Sequence, residues 1–121
     1  LRNARIAAAR GERQSVEITG SDVALAGGIG ISRTGAGELH LTIADSTLRA
    51  EGSATHVSVK TGVTQYRAVG NRFEGGAIDL ADGAFGTGST LMHTGNVEVG
   101  VARSAFPAEG DRVVDTANLK V

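Results

Sequence analysis

The sequence predicts an all-β fold, a parallel solenoid of about four stacked coils, on three observations. A Ser or Asn recurs at Ser21, Ser46, Asn71 and Ser104, at spacings of 25, 25 and 33. Each stands two residues before one apolar side chain and two or three after another: Ile18 and Val23, Ile43 and Leu48, Val69 and Phe73, Val101 and Phe106. Recurrence at such a period marks a supersecondary unit that stacks on copies of itself. Between these positions apolar and polar residues alternate with period two, as in half-buried strands. The composition agrees, since 18 glycines, one proline and 3% aromatics describe many tight turns around a thin aliphatic core.

Residues 1–13 are rich in Ala, Leu and Arg up to Gly11, and predict a short amphipathic helix capping the first coil, with Arg2, Arg5, Arg10 and Arg13 on its wet face. Residues 14–121 then form the coils of a single domain, in keeping with a length of 121 residues. Strand patterns follow at Val16-Ile18, Ile29-Ile31, Leu39-Leu41-Ile43, Val57-Val59, Ile78-Leu80 and Val97-Val99-Val101. Gly27-Gly28, Gly52, Gly75-Gly76 and Gly110 mark one bend of each coil, and Gly35, Gly62 and Gly83 the other. Stacking puts like residue on like at the ~4.8 Å strand spacing. Leu48 and Phe73 then share an inward column, and Ser21, Ser46, Asn71 and Ser104 form a buried ladder whose side chains bond backbone and one another.

The unit from Val69 to Leu80, with Asn71 and Phe73 followed by Gly-Ala-Ile-Asp-Leu, resembles a coil of the right-handed parallel β-helix superfamily, and about residues 14 to 117 share the likeness. That superfamily takes in pectate-lyase-like enzymes, phage tailspike and fibre domains, and secreted adhesins. The resemblance implies a structural and recognition module of a fibre, spike or adhesin, extracellular or on a virion, homo-oligomeric as a trimer, with a polysaccharide or cell-surface ligand. The alternative it implies is a polysaccharide hydrolase or lyase domain, with carboxylates on the outer face of the strands. An antiparallel sandwich is the rival fold, since turn signals every ~8–12 residues suit it as well. Asp82-Gly83 is the one clean hairpin signal, however, and a sandwich gives no reason for the recurring Ser and Asn.

Composition narrows the chemistry. Lys+Arg 12 against Asp+Glu 13 leaves a net charge of -1, so there is no basic field to attract nucleic acid. Without cysteine there is no disulfide, thiolate metal site or thiol nucleophile. No stretch reads as a signal peptide or membrane anchor, and a chain starting at Leu1 reads as a processed or excised piece of a longer one. His40, His56 and His93 lack metal-ligand spacing, and His40, between Leu39 and Leu41, should face outward. The Gly27-to-Ser32 segment puts Ser where a calcium-binding repeat needs a carboxylate, and the glycines at 83, 86 and 88 lack the Lys-Ser/Thr of a phosphate loop. Neither a metal nor a cofactor is expected.

Outward rows should read Glu17, Thr42, Ala68 and Gly100 on one face, and Gly30, Ser58 and Asp79 on another. Acids are not concentrated on either. Should the chain be an enzyme, Asp79, Asp82 and Asp45 are the candidate carboxylates. The spacing of 33 between Asn71 and Ser104, against 25 before, predicts an inserted surface loop over residues 84–96. Ser89, Thr90, His93 and Asn96 are its candidate ligand-binding donors and acceptors, with Met92 or Phe85 as an apolar contact. Residues 115–121 provide no amphipathic cap, so the exposed columns at that end are expected to recruit a partner chain.

Overall fold

The computed structural model describes residues 4–9, 13–33, 37–81 and 84–121. The chain opens with β1 (Ala4–Ala9) and β2 (Arg13–Thr19). From β2 it winds through β3 (Asp22–Leu25) and β4 (Ile29–Arg33), completing a first coil. The second coil is β5 (Glu38–Ala44), β6 (Thr47–Ala50) and β7 (Thr55–Val59), and the third is β8 (Val63–Val69), β9 (Arg72–Glu74) and β10 (Ala77–Leu80). The fourth is β11 (Thr90–Thr94), β12 (Val97–Val99) and β13 (Ala102–Ala105), followed by β14 (Val113–Thr116) and β15 (Leu119–Lys120). From β2 onward each strand pairs in parallel with its counterpart one coil away, giving three sheets. Sheet A runs β1-β2-β5-β8-β11-β14, sheet B β15-β12-β9-β6-β3 and sheet C β13-β10-β7-β4. The predicted parallel solenoid of about four turns is therefore the fold, with three strands per coil, because the Ser/Asn corner divides the first strand of each unit in two.

The helix expected over residues 1–13 is corrected for residues 4–9, which are strand. β1 pairs antiparallel with β2, from Ala4↔Ile18 to Ala9↔Arg13. The first coil leaves a row of backbone donors and acceptors on β2 without partners. An added strand satisfies them and a helix would not, so edge pairing outweighs the weak helical preference of alanine. Residues 1–3 and 10–12 lie outside the described residues.

Inside the coils the apolar residues stack in columns. Val16, Leu41, Tyr66, Leu91 and Val113 form one on sheet A, and Ile18, Ile43 and Ala68 begin another. Val23, Leu48 and Phe73 line sheet B, with Phe73 fully buried, so Leu48 and Phe73 share an inward column as predicted. Ile31, Val57 and Ile78 line sheet C.

The corner between sheets A and B is held by a ladder of side chains. The Ser21 amide donates to Ser46 Oγ (3.1 Å), Ser46 to Asn71 Oδ1 (3.0 Å), Asn71 to Asn96 Oδ1 (2.9 Å) and Asn96 to Asn118 Oδ1 (3.0 Å). Asn71 Nδ2 donates to the Ile43 carbonyl at 2.7 Å, and Asn96 Nδ2 repeats this on Ala68 at 3.0 Å. Asn71 is thus buried and satisfied at a turn, as predicted. The fourth rung is Asn96 and not Ser104, which is exposed on β13. Three residues before each rung and two after stand inward side chains, Ile18 and Val23, Ile43 and Leu48, Ala68 and Phe73. At Asn96 these positions hold His93 and Glu98, so the apolar signature vanishes where the structural repeat continues. The spacing from Asn71 to Asn96 is again 25, and the inserted loop over 84–96 resolves into a corner segment followed by strand β11.

The bend between sheets B and C shortens at Gly75-Gly76, where both residues are left-handed. A Cβ on Gly76 would stand 2.6 Å from both Ala50 Cβ and the Ala54 carbonyl oxygen, so this bend needs glycine for space as well as for φ.

Candidate functional site

Parallel strands place residues 25 apart side by side, so the outer face of sheet A carries rows of equivalent side chains. One row is His40, Gln65 and Thr90, and the next is Thr42, Arg67, Met92 and Val114. The expected row of Glu17, Thr42, Ala68 and Gly100 is corrected, because Glu17 and Thr42 are followed by Arg67, whereas Ala68 points inward and is fully buried. A one-residue slip in a strand exchanges its two faces, and this slip in β8 separates Ala68 from Arg67 as the outward residue. The two rows floor a groove of about 460 Å³. Asp111 and Arg112, just before β14, line it as well. Arg112 Nη1 donates to the Gly86 carbonyl at 3.0 Å, tying this segment to the corner before β11.

Hydrogen bonds fix the floor. Thr90 Oγ1 donates to Gln65 Oε1, and Gln65 Nε2 donates to the Gly88 carbonyl. His40 faces outward, as predicted, with Nε2 2.6 Å from Glu38 Oε2. Met92 and Val114 are among the exposed large apolar side chains, so the groove combines a polar row with an apolar strip.

Of the five predicted ligand-binding residues, Thr90 and Met92 line this groove. Ser89, His93 and Asn96 are buried and do not reach an exposed loop, because β11 carries alternate side chains into the core. Ser89 Oγ accepts from the Thr64 amide at 3.1 Å, and Asn96 is the ladder rung. The predicted apolar contact Phe85 is buried too.

His93 belongs to a charged network inside the fourth coil. It stacks between Tyr66 (5.9 Å) and Phe73 (5.7 Å), with Phe106 edge-on at 5.4 Å. Its Nδ1 is 3.0 Å from Tyr66 Oη, and its Nε2 is 3.2 Å from Glu98 Oε2. A carboxylate only accepts, so Nε2 carries the proton of that bond. Arg103 takes both Glu98 oxygens, at 3.0 and 2.6 Å, and both oxygens of Asp115, at 2.5 and 3.2 Å. Asn118 Nδ2 donates to Asp115 Oδ1 at 2.9 Å. Burial pushes the Glu98 carboxyl up, but hydrogen bonds and charge from His93 and Arg103 prevail and hold it down at about 2. For Arg103, burial works against the charge and the two carboxylates outweigh it, so its pKa is raised. Burial raises Tyr66, with the Glu98 charge adding to it. The cluster has no signature in the sequence, since Glu98, Arg103 and Asp115 lie on three different strands and converge only through the winding of the coil.

Of the candidate carboxylates, Asp79 and Asp45 are on different parts of the coil. Asp79 is on the outer side of sheet C and pairs with Lys60. Asp45 occupies the A–B corner with φ 51, a left-handed turn position. Asp82 lies outside the described residues. His56 is buried against the Phe73 ring at 5.4 Å, with Nε2 2.9 Å from the Gly75 carbonyl, and burial lowers its pKa. No group of three or more metal-ligating side chains occurs among the described residues.

These features define a parallel β-solenoid with a groove on the outer face of its longest sheet. Comparison with protein families, curated proteins and solved structures returns no match for this chain.

Proposed function

We propose that the chain is a rigid recognition module that binds an extended carbohydrate along the outer face of sheet A, as part of a fibre, spike or secreted adhesin. One observation carries the reading: His40, Gln65 and Thr90 repeat a hydrogen-bonding side chain at the same site on successive coils, beside the apolar Met92. A chain ligand lying along the solenoid axis meets a new coil every ~4.8 Å. Hydroxyl-rich sugars suit this surface, because their edges hydrogen-bond while their C–H faces pack on an apolar side chain. Assembly as a homotrimer in an extracellular or virion setting completes the proposal.

Affinity electrophoresis of the intact chain against soluble linear polysaccharides tests it. Retardation by at least one polysaccharide, lost on Thr90→Ala combined with Met92→Asp, is the expected result. A folded chain that no polysaccharide retards overturns the reading. Release of reducing ends from the retarded polysaccharide would favour the hydrolase or lyase alternative. Sedimentation equilibrium at micromolar concentration tests the trimer, and a monomer there removes it.

A further inference from the structure

We infer that the ligand of the sheet A groove is a polyanion, a polysaccharide bearing carboxylate or sulfate groups, gripped by Arg67 and Arg112. The inference rests on the carbohydrate reading above and adds the ligand's charge. The guanidinium partners set these two arginines apart. Arg49 meets Asp22 at 2.7 Å, Arg72 meets Glu74 at 2.5 Å and Arg103 meets Glu98 at 2.6 Å. Arg67 and Arg112 meet no carboxylate among the described residues, and the contact Arg112 does make is to the Gly86 carbonyl, which leaves its charge uncompensated. Both line the groove, where Asp111 is the one acidic side chain and Glu38, at the margin, is engaged with His40. The chain's net charge is -1, whereas the groove lining carries two guanidinium groups against the one carboxylate of Asp111. Guanidinium groups match carboxylate and sulfate oxygens in paired hydrogen bonds.

Their placement also selects a polymer over a single sugar. Arg67 is on β8, and Arg112 immediately precedes Val113 of β14, with β11 between them. Two strand spacings separate them along the axis, roughly 10 Å. They therefore grip different units of one chain, and Met92, between Arg67 and Val114 in its row, packs against the intervening sugar face.

Isothermal titration of the intact chain with polygalacturonate, dextran sulfate, neutral dextran and monomeric galacturonate tests this. The expected result is binding of at least one polyanion, weakened several-fold between 50 and 300 mM NaCl, with no binding of the monomer. Arg67→Gln and Arg112→Gln should each weaken it about tenfold, while Arg49→Gln, on sheet B, leaves it unchanged. Preference for polygalacturonate assigns the carboxylate, and preference for dextran sulfate the sulfate. Dextran binding as tightly as either polyanion, or unchanged affinity in both groove variants, overturns the polyanion inference and leaves the carbohydrate reading standing. Failure of all the polysaccharides, charged and neutral, overturns both.

Discussion

The first three coils and the fourth differ in the polarity of their interiors. In coils one to three the inward columns are aliphatic or aromatic, and sheet B faces outward with Asp22, Thr47 and Arg72 in one row and Arg49 and Glu74 in the next. From the fourth coil one sheet A column stays apolar through Leu91 and Val113, and three others continue inward as His93 and Asp115, as Glu98, and as Arg103. The outward rows meanwhile become Val97 and Leu119, then Val99, with Leu119 59% exposed. The winding does not change across this inversion. What persists is the backbone ladder of each sheet and the Ser/Asn corner, so the coil's path is set by main-chain pairing, and the columns accept side chains that are mutually satisfied. A charged interior is tolerated here because each buried group has partners. At that end three of the columns close on charged residues, while the sheet A column through Leu91 ends on the apolar Val113.

The largest effects should come from breaking the two interiors by their different weaknesses. Arg103→Ala leaves Glu98 and Asp115 facing one another without a cation, and should cost about 3–5 kcal/mol, as removal of one partner from a buried ion network does. Phe73→Ala in the third coil should cost about as much, ~3–5 kcal/mol, through the cavity it opens. The interiors separate on combined replacement. Glu98→Leu, Arg103→Met and Asp115→Asn together should bring stability back to within about 1 kcal/mol of the parent, because no charge is then stranded. Urea midpoints decide the matter. A cost below about 1 kcal/mol for Arg103→Ala would mean the network holds nothing together.

Acid should distinguish the same two regions. The Glu98 carboxyl is held at about 2 in the fold, below its ordinary value of 4.5, so its ionised form favours folding. That contribution is complete above pH 4.5 and disappears as pH falls toward 2. The fourth coil should therefore open before the second on acidification, with amide exchange in β12 and β13 rising relative to β5 and β6. Uniform loss of protection along the solenoid would contradict this.

A smaller difference should separate two substitutions at the corner. Ser already serves as a rung at position 46, where its Oγ accepts from the Ser21 amide of the coil before and donates to the Ala44 carbonyl two residues back, a donation that Ser21 repeats on Thr19. Asn71→Ser should thus cost only about 1 kcal/mol, for the lost bond to Ile43, and Asn71→Ala about 2–3 kcal/mol, since the Ser46 amide is then orphaned in a buried corner. Equal midpoints for the two variants would remove the ladder as a stabilising device.

The same inversion explains what could be read from the sequence. Ser21, Ser46 and Asn71 were legible because apolar residues flank them, and Asn96 was hidden because His93 and Glu98 hold the flanking positions. With Ser104 as the rung the sequence reads β11 as a loop, which groups Thr90 and Met92 with Ser89, His93 and Asn96, side chains that the strand turns inward. Period-two patterns fix a strand's faces only where one face is plainly apolar. In β8, Tyr66 and Ala68 are inward beside Val69, which is only partly buried, and the pattern allows either register. The salt bridge between Lys60 and Asp79, and the convergence of Glu98, Arg103 and Asp115, depend on the pitch of the coils and have no local signature.

The smallest expected effect is at the last corner. The residue before each rung is left-handed in every coil: Gly20, Asp45, Gly70, Gly95 and Ala117, with φ 54, 51, 68, 66 and 57. Three are glycine, and Asp is among the few other residues that tolerate this conformation. Ala117 is the exception, and a left-handed alanine stores about 1–2 kcal/mol. Glycine would relieve this but adds unfolded-state freedom worth about 0.5–1 kcal/mol, so Ala117→Gly should raise stability by about 0.5 kcal/mol. The reverse change at Gly70 should be far more harmful, because an added Cβ would stand 3.0 Å from Asp45 Oδ1 as well as adopting the strained φ. Thermal melts of Ala117→Gly and Gly70→Ala measure both signs. A loss of stability in Ala117→Gly would show that this exposed corner does not share the geometry of the four before it.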